Sequence, residues 1–231
     1  MDSPQEEEKR AAARRGASFV ENGMVVGLGS GSTASYAIAF LGERVRAGLA
    51  VRAIPTSSRS KQLAEREGIP LIDFGSVTEL DLTIDGADEV DPQLDLIKGG
   101  GGALVREKVV ASASHRLIIV ADSSKQVRVL GAFPLPVVVI PFAVPRIARL
   151  IGEMGASVAL RTDEAKQPFI TDDGNHLLDC RFDPIPDARA LASRLGETPG
   201  IVDHGLFLGM ADLVVIARGA NVVELRRERP K

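Results

Sequence analysis

The sequence is short of cysteine, of net charge and of long apolar runs, and each shortage removes a class of protein. Cys180 is the single cysteine, so no internal disulfide can form and a disulfide-stapled scaffold is excluded. Residues 1–15 are polar and charged, without the apolar stretch of a secretory signal. A cytoplasmic location is therefore expected. No uninterrupted apolar run reaches the roughly 18 residues of a membrane-crossing helix. The nearest, residues 129–144, is broken by Pro134, Pro136 and Pro141, so no membrane partner is expected. Lys and Arg total 28 against 31 for Asp and Glu, a net charge of -3, and no global positive field exists to draw nucleic acid. His115, His176 and His204 lack ligand-like spacing, so neither a metal nor another cofactor is expected. There is no internal repeat and no low-complexity tract.

What is there fits a globular chain that folds around a core. At 231 residues, 45% hydrophobic and 26% charged, it can bury a real core without staples. The pattern predicts a helix over 6–20, a strand over 24–28, a glycine loop, and a helix over 34–45. A strand at 51–54, a helix at 59–67, a strand at 80–84, a helix at 104–112 and a strand at 117–121 follow. This alternation predicts an open parallel sheet with helices on both faces, an α/β Rossmann-like fold. Residues 85–103 show neither periodicity, and loops of that length inside compact domains are usually functional.

Beyond Gly131 the texture changes: strand 137–140, helix 144–154, strand 158–161, a hairpin of 169–171 against 177–180 across Asp173-Gly174-Asn175, helix 187–195 and strand 201–202. That β-α-β-β-α-β order predicts an inserted ferredoxin-like α+β small domain. The expected division is 1–131 and 204–231 for the catalytic α/β domain and 132–203 for the small one. Strand 213–217 returns to the large sheet, and residues 226–231 read as a frayed charged tail.

Four polar loops each follow an apolar strand. In Gly27-Leu28-Gly29-Ser30-Gly31-Ser32-Thr33, glycines allow close approach, and the N–H groups of the next helix point at an anion. The same residues equally suit a plain strand-to-helix turn. A Walker loop is excluded by the missing Lys, and a dinucleotide fingerprint by the missing third Gly and ribose-binding acid. Asp85-Gly86-Ala87-Asp88-Glu89-Val90-Asp91 puts carboxylates where ligands of open sheets bind; a solvated acidic turn is the alternative. Four glycines, 99–102, are framed by Lys98, which can stabilise an oxyanion, and Glu107, which can serve as a base from a helix start; taken by itself, Glu107 also reads as a solvated helix residue. Asp122-Ser123-Ser124-Lys125 adds a cation and donors. Ser57-Ser58-Arg59-Ser60 reads as a helix cap, with a place lining the site as the alternative because it follows a strand, and Cys180 reads as core.

Together the segments at 27–34, 85–89, 98–101, 106–108, 121–126 and 133–137 resemble the ribose-5-phosphate isomerase A family along the whole chain. That resemblance implies that Glu107 is the proton-shuttling base and that Asp85, Asp88 and Lys98 are the charged groups around the sugar. It implies substrate binding by Ser30, Gly31, Ser32, Thr33, Asp85, Gly86, Ala87, Asp88, Lys98, Gly99, Gly100 and Gly101, with Lys125 and, on weaker grounds, Lys9. A homodimer or homotetramer without cofactor is implied too. Ser30 departs from a common Thr and Gly102 from a usual Ala; neither removes a catalytic group. The expected activity is interconversion of ribose 5-phosphate and ribulose 5-phosphate through an enediolate. Two rivals share this scaffold: the non-catalytic sugar-phosphate-sensing domain of a transcription regulator, which would need a basic helix-turn-helix, and a coenzyme A transferase, told apart by acyl-CoA turnover.

Overall fold

The computed structural model describes residues 3–219 and 221–227. They divide into two compact units: the first comprises residues 3–87, 106–125, 209–219 and 221–227, the second residues 88–105 and 126–208.

The first unit is built on a six-stranded sheet of order β13-β12-β6-β3-β1-β2. Its strands are β1 (Val25–Leu28), β2 (Arg52–Pro55), β3 (Leu82–Asp85), β6 (Leu117–Asp122), β12 (Leu213–Arg218) and β13 (Asn221–Arg226). All neighbours are parallel except β12 and β13. Every residue of β1, β3 and β6 is buried, as expected of central parallel strands in a sheet covered on both faces. Helices α1 (Pro4–Ala17), α2 (Ser32–Arg46), α3 (Ser58–Arg66) and α4 (Leu104–Ser112) accompany them. Helix α1 lays a small-residue face, Ala12, Ala13, Gly16 and Ala17, inward. A Cβ at Gly16 would overlap the Val120 side chain, so the close helix-to-sheet approach demands glycine there. The predicted helix to Val20 stops at Ala17, where Ser18 caps it.

The second unit carries a four-stranded antiparallel sheet of order β10-β7-β9-β8. These are β7 (Leu135–Val139), β8 (Ser157–Leu160), β9 (His176–Arg181) and β10 (Ile201–His204), with helices α5 (Val144–Glu153) and α6 (Ala188–Gly196) in the two crossovers. This is the ferredoxin-like arrangement expected from the element order. Ile147 and Ile151 of α5, and Leu191 and Leu195 of α6, are buried at four-residue spacing, the inward stripe of an amphipathic helix.

Two expectations differ in detail. The hairpin pairs β9 with β8 directly, Val158 opposite Cys180 and Leu160 opposite Leu178; residues 169–171 make only the single bridge of Ile170 to His176, because the alternation at 157–160 offers a longer matching edge. The aperiodic stretch 85–103 is not all loop: β4 (Glu89–Val90) and β5 (Leu96–Ile97) pair with β11 (Leu206–Phe207) in a three-stranded sheet. Two-residue strands are too short to show a period. That pairing draws residues 88–105 into the second unit, whereas the sequence-based division placed them in the first. Of the expected charged tail, Arg226 closes β13, and residues 228–231 lie outside the described residues.

Candidate active site

In the first unit, parallel pairing puts the carboxyl ends of β1, β3 and β6 on one edge of the sheet, where open α/β sheets bind ligands. The loop after β1 is tied to β3: Gly29 N–H donates to Ile84 O (2.9 Å), and Ser30 N–H donates to Asp85 Oδ1 (3.0 Å). Gly86 N–H donates to the same oxygen (2.7 Å). Asp85 is fully buried, so backbone amides hold this carboxylate in place.

Gly31 is the N-cap residue of α2, at φ 97° and ψ 175°, with no side-chain capping bond, and a Cβ there would meet nothing within 4 Å. Open space therefore lies over a helix start whose first N–H groups have no side-chain cap, the setting that suits an anion. Ser32 is exposed and Thr33 buried. The Ser30 hydroxyl lies 2.9 Å from Thr56 Oγ1 and 2.7 Å from Ser57 Oγ. Ser57 in turn caps α3 through a reciprocal pair with Ser60, as the cap reading of 57–60 expects. Thr56 and Ser57 thus brace the loop, a role visible in the sequence only as polar residues after strand β2.

Glu107 is 3% exposed in the first turn of α4, where the positive end of the helix dipole favours a carboxylate. At the end of β6, Asp122 Oδ1 accepts from Ser124 N–H (3.0 Å), the Ser124 hydroxyl and Gln5 Nε2 (3.3 Å). The short 3₁₀ turn 123–125 ends on Lys125. Glu8 of α1 accepts from Ser123 N–H (3.0 Å), the Ser123 hydroxyl (2.8 Å) and Gly219 N–H (2.7 Å). These bonds hold its carboxyl below the usual glutamate value, the backbone amide of Gly219 most of all. Lys9, the next residue, has its ammonium 2.6 Å from Glu6 Oε1, and Glu6 also accepts from Tyr36 OH (2.6 Å).

The second unit carries the remaining predicted residues. Asp88 Oδ2 accepts from Gly100 N–H (2.7 Å). Lys98 is 3% exposed; its N–H donates to Gly205 O (2.9 Å), and its ammonium sits 5.3 Å from the Phe207 ring centroid, within cation–π range. Arg161 donates to Gly99 O (2.9 Å) and Gly100 O (3.0 Å), contacts that no sequence motif announces. Ala87 ends the first of the segments that make up the first unit, and Asp88 begins the second unit.

Among the described residues no group of three or more His, Cys, Asp or Glu could hold a metal, and no helix is long and apolar enough to cross a membrane. Cys180 is fully buried, and burial pushes its thiol up to about 12, which suits a core residue and not a nucleophile.

The family model described as ribose 5-phosphate isomerase A (phosphoriboisomerase A) matches residues 52–221. A ribose-5-phosphate isomerase A of Parvibaculum lavamentivorans is 47% identical over 227 residues, covering 95% of this chain and 98% of its own length. One of Methylorubrum populi is 54% identical over 215 residues, with 90% and 91% covered. Among solved structures, a D-ribose-5-phosphate isomerase in complex with phospho-erythronic acid is similar with a TM-score of 0.94 at 37% identity, covering 98% of this chain and all of that one. The ribose 5-phosphate isomerase A of Methanocaldococcus jannaschii gives 0.90 at 40%, with 94% and 97% covered.

Proposed function

The chain belongs to the ribose 5-phosphate isomerase A family, and on that premise we infer its activity: it interconverts D-ribose 5-phosphate and D-ribulose 5-phosphate. The observation that carries the site assignment is the hydrogen bond donated by the Ser30 backbone N–H to the buried Asp85 carboxylate, which ties the loop read as anion-binding to the carboxylate read as catalytic. No finding favours the sensor-domain alternative.

After the furanose opens, the aldose has a carbonyl at C1 and a hydroxyl at C2. Glu107 removes the C2 proton, leaving an enediolate, and returns that proton to C1 while the hydroxyl proton passes from O2 to O1. The exchange is redox-neutral and needs no external oxidant or reductant. A buried carboxylate suits this task because water competes poorly for it. Lys98 stabilises the enediolate oxygen, and a desolvated ammonium is far more effective there than in water. Asp85 assists ring opening and hydroxyl proton movement, with Asp88 beside the sugar. The phosphate lies over Gly31 at the start of α2, held by loop amides and the hydroxyls of Ser32 and Thr33, with Lys125 or Lys9 as the cation. The reading carries with it a homodimer or homotetramer, supported by the family resemblance, and a cytoplasmic location, which the single cysteine suits.

Incubation with ribose 5-phosphate, following ribulose 5-phosphate, tests this directly. Turnover should persist in EDTA, and Glu107→Gln should lower kcat by about 10²–10⁴-fold with KM little changed. A Glu107→Gln enzyme with near-normal kcat removes Glu107 from the role, and activity that vanishes in EDTA and returns with a divalent ion overturns the metal-free mechanism.

A further inference from the structure

The glycine run after Lys98 is long enough to be slack, yet two side chains from outside the run, Arg161 and Asp88, hold it. Arg161 directly follows β8. Its Nε donates to Asp179 Oδ2 (2.9 Å) and its Nη2 to Asp179 Oδ1, the paired fork that fixes a guanidinium plane. The remaining nitrogen, Nη1, donates to Gly99 O (2.9 Å) and to Gly100 O (3.0 Å). The Arg161 side chain is only 14% exposed.

These bonds set the orientation of two successive peptide planes. The Gly99–Gly100 peptide is gripped at both ends: its carbonyl by Arg161, its N–H by Asp88 Oδ2 (2.7 Å). In the Gly100–Gly101 peptide the carbonyl is turned to Arg161. A trans peptide points its C=O and N–H in opposite directions, so the Gly101 N–H is turned away from the guanidinium. Gly101 is exposed and a Cβ there would meet nothing within 4 Å, so a ligand has room to approach this residue. An amide donor oriented in advance is what a developing oxyanion needs.

We propose that Arg161, braced by Asp179, is a positioning residue for the isomerisation. Through the two glycine carbonyls it fixes the Gly101 N–H as a donor to the reacting sugar phosphate and holds the Asp88 carboxylate at the sugar. This rests on the reading of Asp88 and Gly99 to Gly101 as substrate-binding. Lysine cannot replace the arginine, because a single ammonium cannot engage both Asp179 oxygens and both carbonyls in one plane.

Three variants test it, each with kcat, KM and melting temperature measured on the full chain. Arg161→Ala should lower kcat by about 10²-fold, the scale of an ångström-sized misplacement, with a smaller change in KM. Added guanidinium at sub-denaturing millimolar concentration should restore part of that kcat, and should not restore Glu107→Gln. Arg161→Lys, which keeps the charge and the aliphatic stem, should lose kcat at a nearly unchanged melting temperature and gain nothing from guanidinium. Normal kcat in Arg161→Ala or Arg161→Lys overturns the proposal. So does a loss in both that tracks the unfolded fraction and resists guanidinium, since that is the signature of a merely structural bond. Asp88→Asn separates the premise from the inference. Normal turnover in Asp88→Asn sinks the substrate-binding reading and the proposal with it; a turnover defect there beside normal Arg161 variants sinks the proposal alone.

Discussion

Gly29→Ala is a sharp test of how tightly the anion-binding loop is built onto the sheet. A Cβ at this position would stand 2.5 Å from Asp85 Cα and closer still to the Asp85 carboxylate. The Asp85 side chain cannot simply swing away, because the Cα itself is in the way and β3 is held between β1 and β6. The chain must therefore lift Gly29 off β3, stretching its N–H bond to Ile84 O (2.9 Å), or displace β3. Overpacking plus one weakened hydrogen bond amounts to about 2–4 kcal/mol. For a chain of this size that is a fall in melting temperature of about 4–16 °C. Either movement also disturbs the Ser30 and Gly86 amides on Asp85 Oδ1, so kcat/KM should fall by about 10²-fold. Thermal melts followed by circular dichroism, with steady-state kinetics on the same samples, read both numbers. Gly152→Ala is the control: its Cβ meets nothing within 4 Å inside α5, and it should stabilise by about 0.5–1 kcal/mol. A Gly29→Ala protein melting within about 2 °C of the parent, with normal kcat/KM, refutes the close-approach argument.

Gly31→Val should fail for the opposite reason: no atom crowds its Cβ, but φ 97° and ψ 175° is a region essentially confined to glycine, strained by about 1–3 kcal/mol otherwise. Its kinetic loss should fall mainly on ribose 5-phosphate; an equal loss on free ribose would mean that the loop shapes the whole site and does not cradle phosphate. Lys125→Ala and Lys9→Ala should separate the two candidate cations, the true phosphate ligand raising KM and weakening inhibition by inorganic phosphate, and no change in either variant would refute the assignment of both. Phe207→Ala removes a fully buried ring beside Lys98 and should destabilise by about 3–5 kcal/mol, read by urea titration; a loss below about 1 kcal/mol would contradict its place in the core. Acid should loosen α1 early. Glu6 is held below 4.5 by Lys9 and then Tyr36, Glu8 by the amides of Gly219 and Ser123, and Glu224 by Arg15 and then Arg226. Such depressed carboxyls contribute stability that is complete above about 4.5 and lost as pH falls through their lowered values, so hydrogen exchange in α1 should rise below that point ahead of the sheet.

What could be read in the chain without coordinates is what short-range pattern encodes. The largely apolar runs at 24–28, 80–84 and 117–121 were enough to read buried parallel strands, and the β-α-β-β-α-β order after Gly131 was enough for a ferredoxin-like sheet. The glycine loops, Asp85, Asp88, Lys98 and Glu107 were visible as polar residues following those strands, and the family resemblance supplied their roles. Other features depended on partners far apart in sequence. Strands β4 and β5 exist because β11, more than a hundred residues on, pairs with β5, and two residues carry no period of their own. Arg161 reaches carbonyls 61 and 62 residues away, Glu8 reaches Ser123 and Gly219, and Thr56 and Ser57 meet Ser30 only because β1 and β2 are neighbours. Strand and helix identity follow from local sterics and from the side of an element that must leave water. A hydrogen bond between a side chain and a distant backbone group follows from where the folded strands set both, and only the tertiary structure decides that.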